Sequence, residues 1–243
     1  SVHGSGTGDL LDAISDALPA PETQDEEDDS VKVAVIGKPN AGKSSLVNRI
    51  LGEERLIVSD ISGTTRDAVD TLVECPQGRY TLIDTAGIRR KARIDDVIEK
   101  YSVLRAHTAV ERADVCLLLI DAAEGITEQD EHIAGIAHEA GKACVIVVNK
   151  WDLIEKDNDS VNEFTKKIYN ALAYMTYAPI LFISAKTGQR VGKLLEHINY
   201  VNEQAKLRIS TGMLNDMLGE ATAKVQPPSD KGERLKILSL IHI

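Results

Sequence analysis

Hydrophobic positions gather in short β-rich runs at residues 31–36, 115–121, 143–148 and 180–183. The runs Val115-Cys116-Leu117-Leu118-Leu119-Ile120 and Ala143-Cys144-Val145-Ile146-Val147-Val148 are unbroken by polar residues, as expected of strands buried on both faces. Helical periodicity fills the intervals, at residues 45–51, 127–140, 160–175 and 191–206, with Gly141 a natural stop. Residues 88–113 open with Arg89, Arg90, Lys91 and Arg93 and then turn helical. Residues 68–74 alternate like a half-exposed strand, 76–79 make a turn, and 80–84 return as a second strand. Residues 53–67 have no apolar periodicity and read as a flexible segment. Strands alternating with helices predict an α/β sheet, mostly parallel, with helices on both faces. Ligands of such sheets bind beyond the carboxyl ends of the strands.

The beginning of the chain has a different texture. Residues 1–8 are turn-rich, and Leu10, Leu11, Ile14 and Leu18 put one apolar face on a short helix over residues 9–18. Residues 19–30 carry Pro19, Pro21, Glu22, Asp25, Glu26, Glu27, Asp28 and Asp29, a composition that cannot bury a core and predicts an acidic linker. The 243 residues are 43% hydrophobic and 27% charged, an ordinary globular balance. A net charge of -10 argues against a surface that coats nucleic acid or anionic lipid, although it leaves room for a local basic patch. No apolar run reaches the length of a membrane span. Cys75, Cys116 and Cys144 lack metal-ligand spacing; the latter two lie in apolar runs and read as small buried hydrophobes, which fits a reducing cytoplasm.

The candidate chemistry sits on the polar tips of the strands. After the run at 31–36 comes Gly37-Lys38-Pro39-Asn40-Ala41-Gly42-Lys43-Ser44, and then a helix. Strand, glycine loop and helix in that order form a phosphate-binding P-loop, which makes the predicted fold that of a P-loop NTPase. The glycines let successive backbone N–H groups turn toward phosphate oxygens, and the helix N-terminus adds its dipole. Lys43 would reach the β- and γ-phosphates and Ser44 would offer its hydroxyl to Mg²⁺. Asp84-Thr85-Ala86-Gly87 suits a metal-and-phosphate role, with Asp84 holding Mg²⁺ through water and the Gly87 amide touching the γ-phosphate. Thr64 and Thr65 offer a second hydroxyl to the metal. Asn149-Lys150-Trp151-Asp152 would choose the base, because a carboxylate at Asp152 matches the N1–H and N2–H₂ edge that guanine has and adenine lacks. Ser184-Ala185-Lys186 would complete the pocket, with the Ala185 amide near guanine O6. The six histidines match no metal spacing.

In order and spacing, these five motifs resemble those of translation-factor-class GTPases. The closer resemblance is to bacterial tandem-domain GTPases of the Der (EngA) family. Residues 1–18 are similar to the end of that family's first GTPase domain, 19–30 to its inter-domain linker, and 31–207 to a complete second GTPase domain. Residues 208–237, with Ile209-Ser210-Thr211-Gly212, Pro227-Pro228 and Gly232-Glu233-Arg234-Leu235-Lys236-Ile237, are similar to the start of its KH-like domain. Residues 238–243 depart from the family pattern and resemble translated sequencing-adapter sequence; no function is read into them. The resemblance implies a Mg²⁺-dependent GTPase that binds GTP and GDP and assists large-ribosomal-subunit assembly through ribosomal RNA. It implies catalytic roles for Lys43, Thr65 and Gly87, and nucleotide contacts from residues 37–44, 84–88, 149–152 and 184–186, Ile88 among them. Ile88 occupies the position after Gly87 where small GTPases carry a water-orienting Gln. The resemblance suggests K⁺ as a substitute, with Asn40 as one ligand and backbone carbonyls before Gly63 as others. The GTPase domain of a tRNA-modification protein shares Asn40 and Thr64-Thr65-Arg66-Asp67 and is the alternative.

Overall fold

The computed structural model describes residues 29–52, 56–62, 69–85, 99–155, 159–225, 229–230 and 233–234. The helix expected at 9–18, most of the acidic stretch and residues 238–243 lie outside these. The strands are β1 (Val31–Ile36), β2 (Ile57–Ser62), β3 (Val69–Cys75), β4 (Gly78–Leu82), β5 (Val115–Asp121), β6 (Ala143–Asn149) and β7 (Ile180–Phe182). They form one seven-stranded sheet in the order β2-β3-β4-β1-β5-β6-β7. β3 runs antiparallel to both of its neighbours, β2 and β4, and every other pairing is parallel.

The helices are α1 (Lys43–Leu51), α2 (Glu99–Arg112), α3 (Glu128–Glu139), α4 (Ser160–Ala171), α5 (Leu194–Lys206) and α6 (Thr211–Lys224). Alternation along the central strands divides the core into two layers. Val33, Val35, Leu117, Leu119, Val145 and Val147 face Leu46, Val47 and Ile50 of α1 and Leu194, Ile198 and Val201 of α5. Ala34, Ile36, Cys116, Leu118, Ile120, Cys144, Ile146 and Val148 face Ala106, Ala109 and Val110 of α2, Ile133, Ala134 and Ala137 of α3, and Ile168 of α4. Helices therefore cover both faces, as the continuous apolar runs require.

One expectation is corrected. The segment 53–67 contains a strand, β2, which pairs with β3 from Ile57↔Glu74 to Ser62↔Val69. β2 is the outermost strand on its side, and Ile57 is 69% exposed. Backbone pairing to β3 holds it there, and with little burial required it has no need of apolar alternation. The other differences are at element ends. The helix expected at 160–175 closes at Ala171 and continues as a 3₁₀ turn, Ala173–Met175. The one expected at 191–206 opens with a 3₁₀ turn, Val191–Lys193. α3 begins where the Asp130 carboxylate accepts from the Thr127 amide and hydroxyl at 3.1 and 2.7 Å, and Gly141, at φ 64°, stops it. α6 is N-capped by Ser210, whose Oγ accepts from the Met213 amide at 3.3 Å, and β8 (Ser229–Asp230) pairs with β9 (Glu233–Arg234) beyond it. No described residue lies on a helix long and apolar enough to cross a membrane.

Candidate nucleotide site

β1 ends at Ile36, and the chain turns at Gly37, φ 144°, into the loop that opens α1. A Cβ on Gly37 would stand 2.5 Å from the Leu119 carbonyl oxygen, so the loop can lie this close to β5 only without a side chain there. Gly42, φ 96°, abuts the Asn149 side chain, and its carbonyl accepts the first helical bond of α1 from Leu46 at 2.9 Å. Pro39 and Asn40 are exposed at the crest, Asn40 at φ 62°; Ala41 is fully buried. Lys43 Nζ donates to the Gly37 and Lys38 carbonyls, both at 2.6 Å, and so arches across the loop. Ser44, half-buried, lies in the first turn of α1.

Lys38 belongs to the loop through its backbone. Its buried side chain points the other way, pairing with the exposed Glu124 at 2.7 Å and the buried Asp130 at 3.4 Å. Burial pulls the ammonium's pKa down, but Glu124 and Asp130 outweigh it and leave the value raised. The residue thus anchors the loop to the β5–α3 connection.

β4 leads into Ile83, Asp84 and Thr85. The Ile83 amide donates to the Val33 carbonyl at 3.0 Å, which sets Asp84 beside β1. Asp84 has φ 54°, and its amide donates to Asp70 Oδ1 at 3.0 Å. The Thr85 hydroxyl meets the Thr71 hydroxyl at 2.7 Å, and both residues are buried. Asp70 Oδ2 is ion-paired to Arg112 at the end of α2. One buried carboxylate on β3 therefore holds both the Asp84 turn and α2. Removing Arg112 takes away the counter-charge of Asp70 and leaves it the Asp84 amide, so Arg112→Ala is expected to cost about 2 kcal/mol of unfolding free energy, since Arg112 is partly exposed. Urea denaturation measures this; a loss within experimental error would show that the pair does not hold α2. Thr64, Thr65, Ala86, Gly87 and Ile88 lie outside the described residues.

The base end is built on Asn149, the last residue of β6 and 2% exposed. Its Nδ2 donates to the Ala41 carbonyl at 2.9 Å, and its Oδ1 accepts from the Ala185 amide at 3.0 Å. The Ala185 amide, expected near a guanine O6, donates to Asn149 in this structure. Asn149 joins the phosphate loop to the 184–186 loop. Lys150, at φ 61°, pairs its ammonium with Asp121 Oδ2 at 2.5 Å, and Asp121 Oδ1 accepts from the Ala123 amide at 2.9 Å. The Trp151 side chain lies in the core, 3% exposed, with its ring centroid 5.3 Å from Phe164 and 4.5 Å from Phe182. Its amide donates to Ile183 at 3.0 Å. Trp151 thus pins the short 3₁₀ turn Trp151–Leu153 and holds Asp152, half-buried, at its centre. Ser184 is fully buried and its Oγ accepts from the Thr187 amide at 3.1 Å; Lys186 is exposed.

Residues outside the motifs also build the framework: Asp70 and Arg112 around the Asp84 turn, Asp121 beside Lys150, and Glu124 and Asp130 beside Lys38. Of these, Asp121 shows in the sequence as a polar tip on an apolar strand. Among the described residues no cluster of three or more His, Cys, Asp or Glu could hold a metal ion. Ser44 and Asp84 supply hard oxygen donors only, a hydroxyl and a carboxylate, which suits Mg²⁺ completed by waters and phosphate oxygens.

The sheet order, the glycine loop between β1 and α1 and the Asn149 bridge define a P-loop GTPase domain. A family profile described as 50S ribosome-binding GTPase matches residues 32–150. The chain is a relative of GTPase Der. GTPase Der of Acetivibrio thermocellus is 62% identical over 237 residues, covering 98% of this chain and 54% of that protein. The same protein of Ruminiclostridium cellulolyticum is 62% identical over 243 residues, covering 100% and 55%. The chain therefore spans about half the length of the curated relatives it matches. Among solved structures, Era in complex with MgGDPNP and nucleotides 1506–1542 of 16S ribosomal RNA aligns with a TM-score of 0.52 and 29% identity, over 70% of this chain and 56% of that one. Elongation factor SelB from Methanococcus maripaludis, in complex with the GTP analogue GppNHp, shares the fold at a TM-score of 0.53 and 18% identity, over 75% and 36%.

Proposed function

We propose that this chain binds GTP across the mouth formed by residues 37–44, 84–88, 149–152 and 184–186, and hydrolyses it to GDP and phosphate. In the whole protein the cycle serves assembly or stability of the large ribosomal subunit in the cytoplasm, through contact with ribosomal RNA, with residues 208–237 opening a KH-like unit. The observation that carries the reading is Asn149, which ties the phosphate loop to the loop expected to flank the base. The 50S ribosome-binding description of the matching family and the MgGDPNP and ribosomal RNA bound to Era support the ribosomal and Mg²⁺ parts.

In this reading Lys43 leaves the carbonyls of Gly37 and Lys38 for the β- and γ-phosphate oxygens. Backbone N–H groups of the loop donate to the same phosphates. Ser44, Thr65 and Asp84 are the residues that would hold Mg²⁺, which supplies neutralisation of charge on the β- and γ-oxygens. Water attacks the γ-phosphorus, the bond to the β–γ bridging oxygen breaks, and the water's proton leaves with the products. The Gly87 amide steadies the γ-phosphate. Ile88 cannot orient the water, so intrinsic turnover is slow.

Asn40 would be one ligand of a monovalent cation, which would offset charge developing on the phosphates as an arginine finger does elsewhere. Asn40 stands exposed on the loop crest, with its side-chain oxygen the donor such an ion would use. Turnover is therefore expected to be at least about tenfold faster in K⁺ than in Na⁺ at equal ionic strength. Equal rates would remove the cation from the mechanism. Single-turnover hydrolysis with and without large ribosomal subunits tests the function as a whole: tight GTP binding with no turnover in either condition would leave a nucleotide-gated binding module in its place.

A further inference from the structure

We propose that Arg49 is a positioning residue for the guanine pocket, an inference that rests on the nucleotide reading above. Arg49 lies in the last turn of α1, far in sequence from the loop after β7. Its Nε donates to the Ala185 carbonyl at 3.2 Å and its Nη2 to the Lys186 carbonyl at 2.8 Å. Two donors of one planar guanidinium thus take two successive carbonyls. A lysine, a single point of charge, cannot reproduce that fork. Gly188 closes the other side. It has φ +83°, and a Cβ there would stand 3.2 Å from both Cζ and Nη2 of Arg49. The loop therefore turns at a residue whose missing side chain leaves room for this guanidinium.

The contacts close a ring. Ala185 gives its carbonyl to Arg49 and its amide to Asn149. Asn149 reaches back to Ala41 in the phosphate loop, and Lys43, two residues on, opens α1, the helix that carries Arg49. The base loop is thereby fastened to the element whose N-terminus faces the phosphates. A simpler role for Arg49 is to offset the dipole at the C-terminal end of α1. That role needs no fork onto 185–186 and no small residue at 188. Without Arg49 the 184–188 loop keeps the Asn149 tie to the phosphate loop and loses its fastening to α1. Bound guanine nucleotide should then escape faster, and the difference between guanine and other bases should shrink.

The test compares the whole chain with its Arg49→Ala, Arg49→Lys and Gly188→Ala variants. Dissociation of a fluorescent GDP analogue is followed by stopped flow, with IDP and ADP as competitors and thermal melts with and without GDP. If the fork holds the loop in its base-binding position, release from Arg49→Ala should be about tenfold faster, and KM for GTP should rise by more than kcat falls. Arg49→Lys should fall between the two, and Gly188→Ala should shift in the same direction. A helix-capping role instead lowers the melting temperature equally with and without GDP and leaves release unchanged, which would overturn the proposal. If Arg49→Ala does not fold, Arg49→Lys keeps the charge and the apolar stem, and faster release from it is the deciding result. Wild-type chain that fails to bind GDP removes the nucleotide reading and this inference together. Wild-type binding with indifferent Arg49 variants removes this inference alone.

Discussion

Lys43→Ala is expected to abolish tight binding of both GTP and GDP. The ammonium sits at the foot of α1, with Nζ 2.6 Å from the carbonyls of Gly37 and Lys38. Those contacts hold it over the cradle that the glycines keep narrow. On binding, the same donors meet phosphate oxygens, and each hydrogen bond to a charged group is worth roughly 1.5–3 kcal/mol. Losing two predicts a dissociation constant raised by about a hundredfold or more. Lys43→Arg should not rescue, because a planar guanidinium is too large to arch across a loop closed by Leu119 on one side and Asn149 on the other. Titration with a fluorescent GDP analogue gives the constants, and a urea melt checks that the fold is kept. Binding within about threefold of wild type would mean that the phosphates do not lie over Lys43, and the assignment of residues 37–44 would fail.

Such a prediction can be made from the sequence because local rules fix this part of the fold. The runs that become β5 and β6 are buried at every position, and no other element suits seven successive apolar or strand-ending residues there. The glycines of the loop and Gly141 announce themselves by residue type. β2 is hidden for the opposite reason. It is held by backbone pairing to β3 with Ile57 and Val58 exposed, so it leaves no hydrophobic signature. The framework around the mouth is hidden for a third reason. Arg49 meets Lys186 across 137 positions, Arg112 meets Asp70 across 42, and Lys150 meets Asp121 across 29. Nothing in the sequence pairs these residues with one another, and only the folded sheet brings them together. Trp151 shows the same limit within a motif. Its place between Asn149 and Asp152 suggests contact with the nucleotide, but its ring is held by Phe164 and Phe182 and serves the turn that presents its neighbour.

That turn makes Asp152→Asn the second large effect, a change of base preference rather than a loss of binding. The 3₁₀ turn is fixed from below by Trp151 and at its start by the left-handed Lys150, whose amino group is bound to Asp121. Replacing the carboxylate by an amide alters none of these supports. It turns one of two acceptors into a donor. Guanine, which offers N1–H and N2–H₂, would then face an N–H group and leave a donor unsatisfied, at a cost of about 1–3 kcal/mol. Xanthine presents a carbonyl oxygen at position 2 and regains the match. GTP affinity is therefore expected to fall by about tenfold to a hundredfold while affinity for xanthosine triphosphate rises, so that the order of the two reverses. Competition between the two nucleotides on wild type and variant measures it directly. An unchanged preference would show that Asp152 does not read the base. A fall for both nucleotides together would point instead to a collapsed turn, and melting curves distinguish that case because Trp151 would then lose its place in the core.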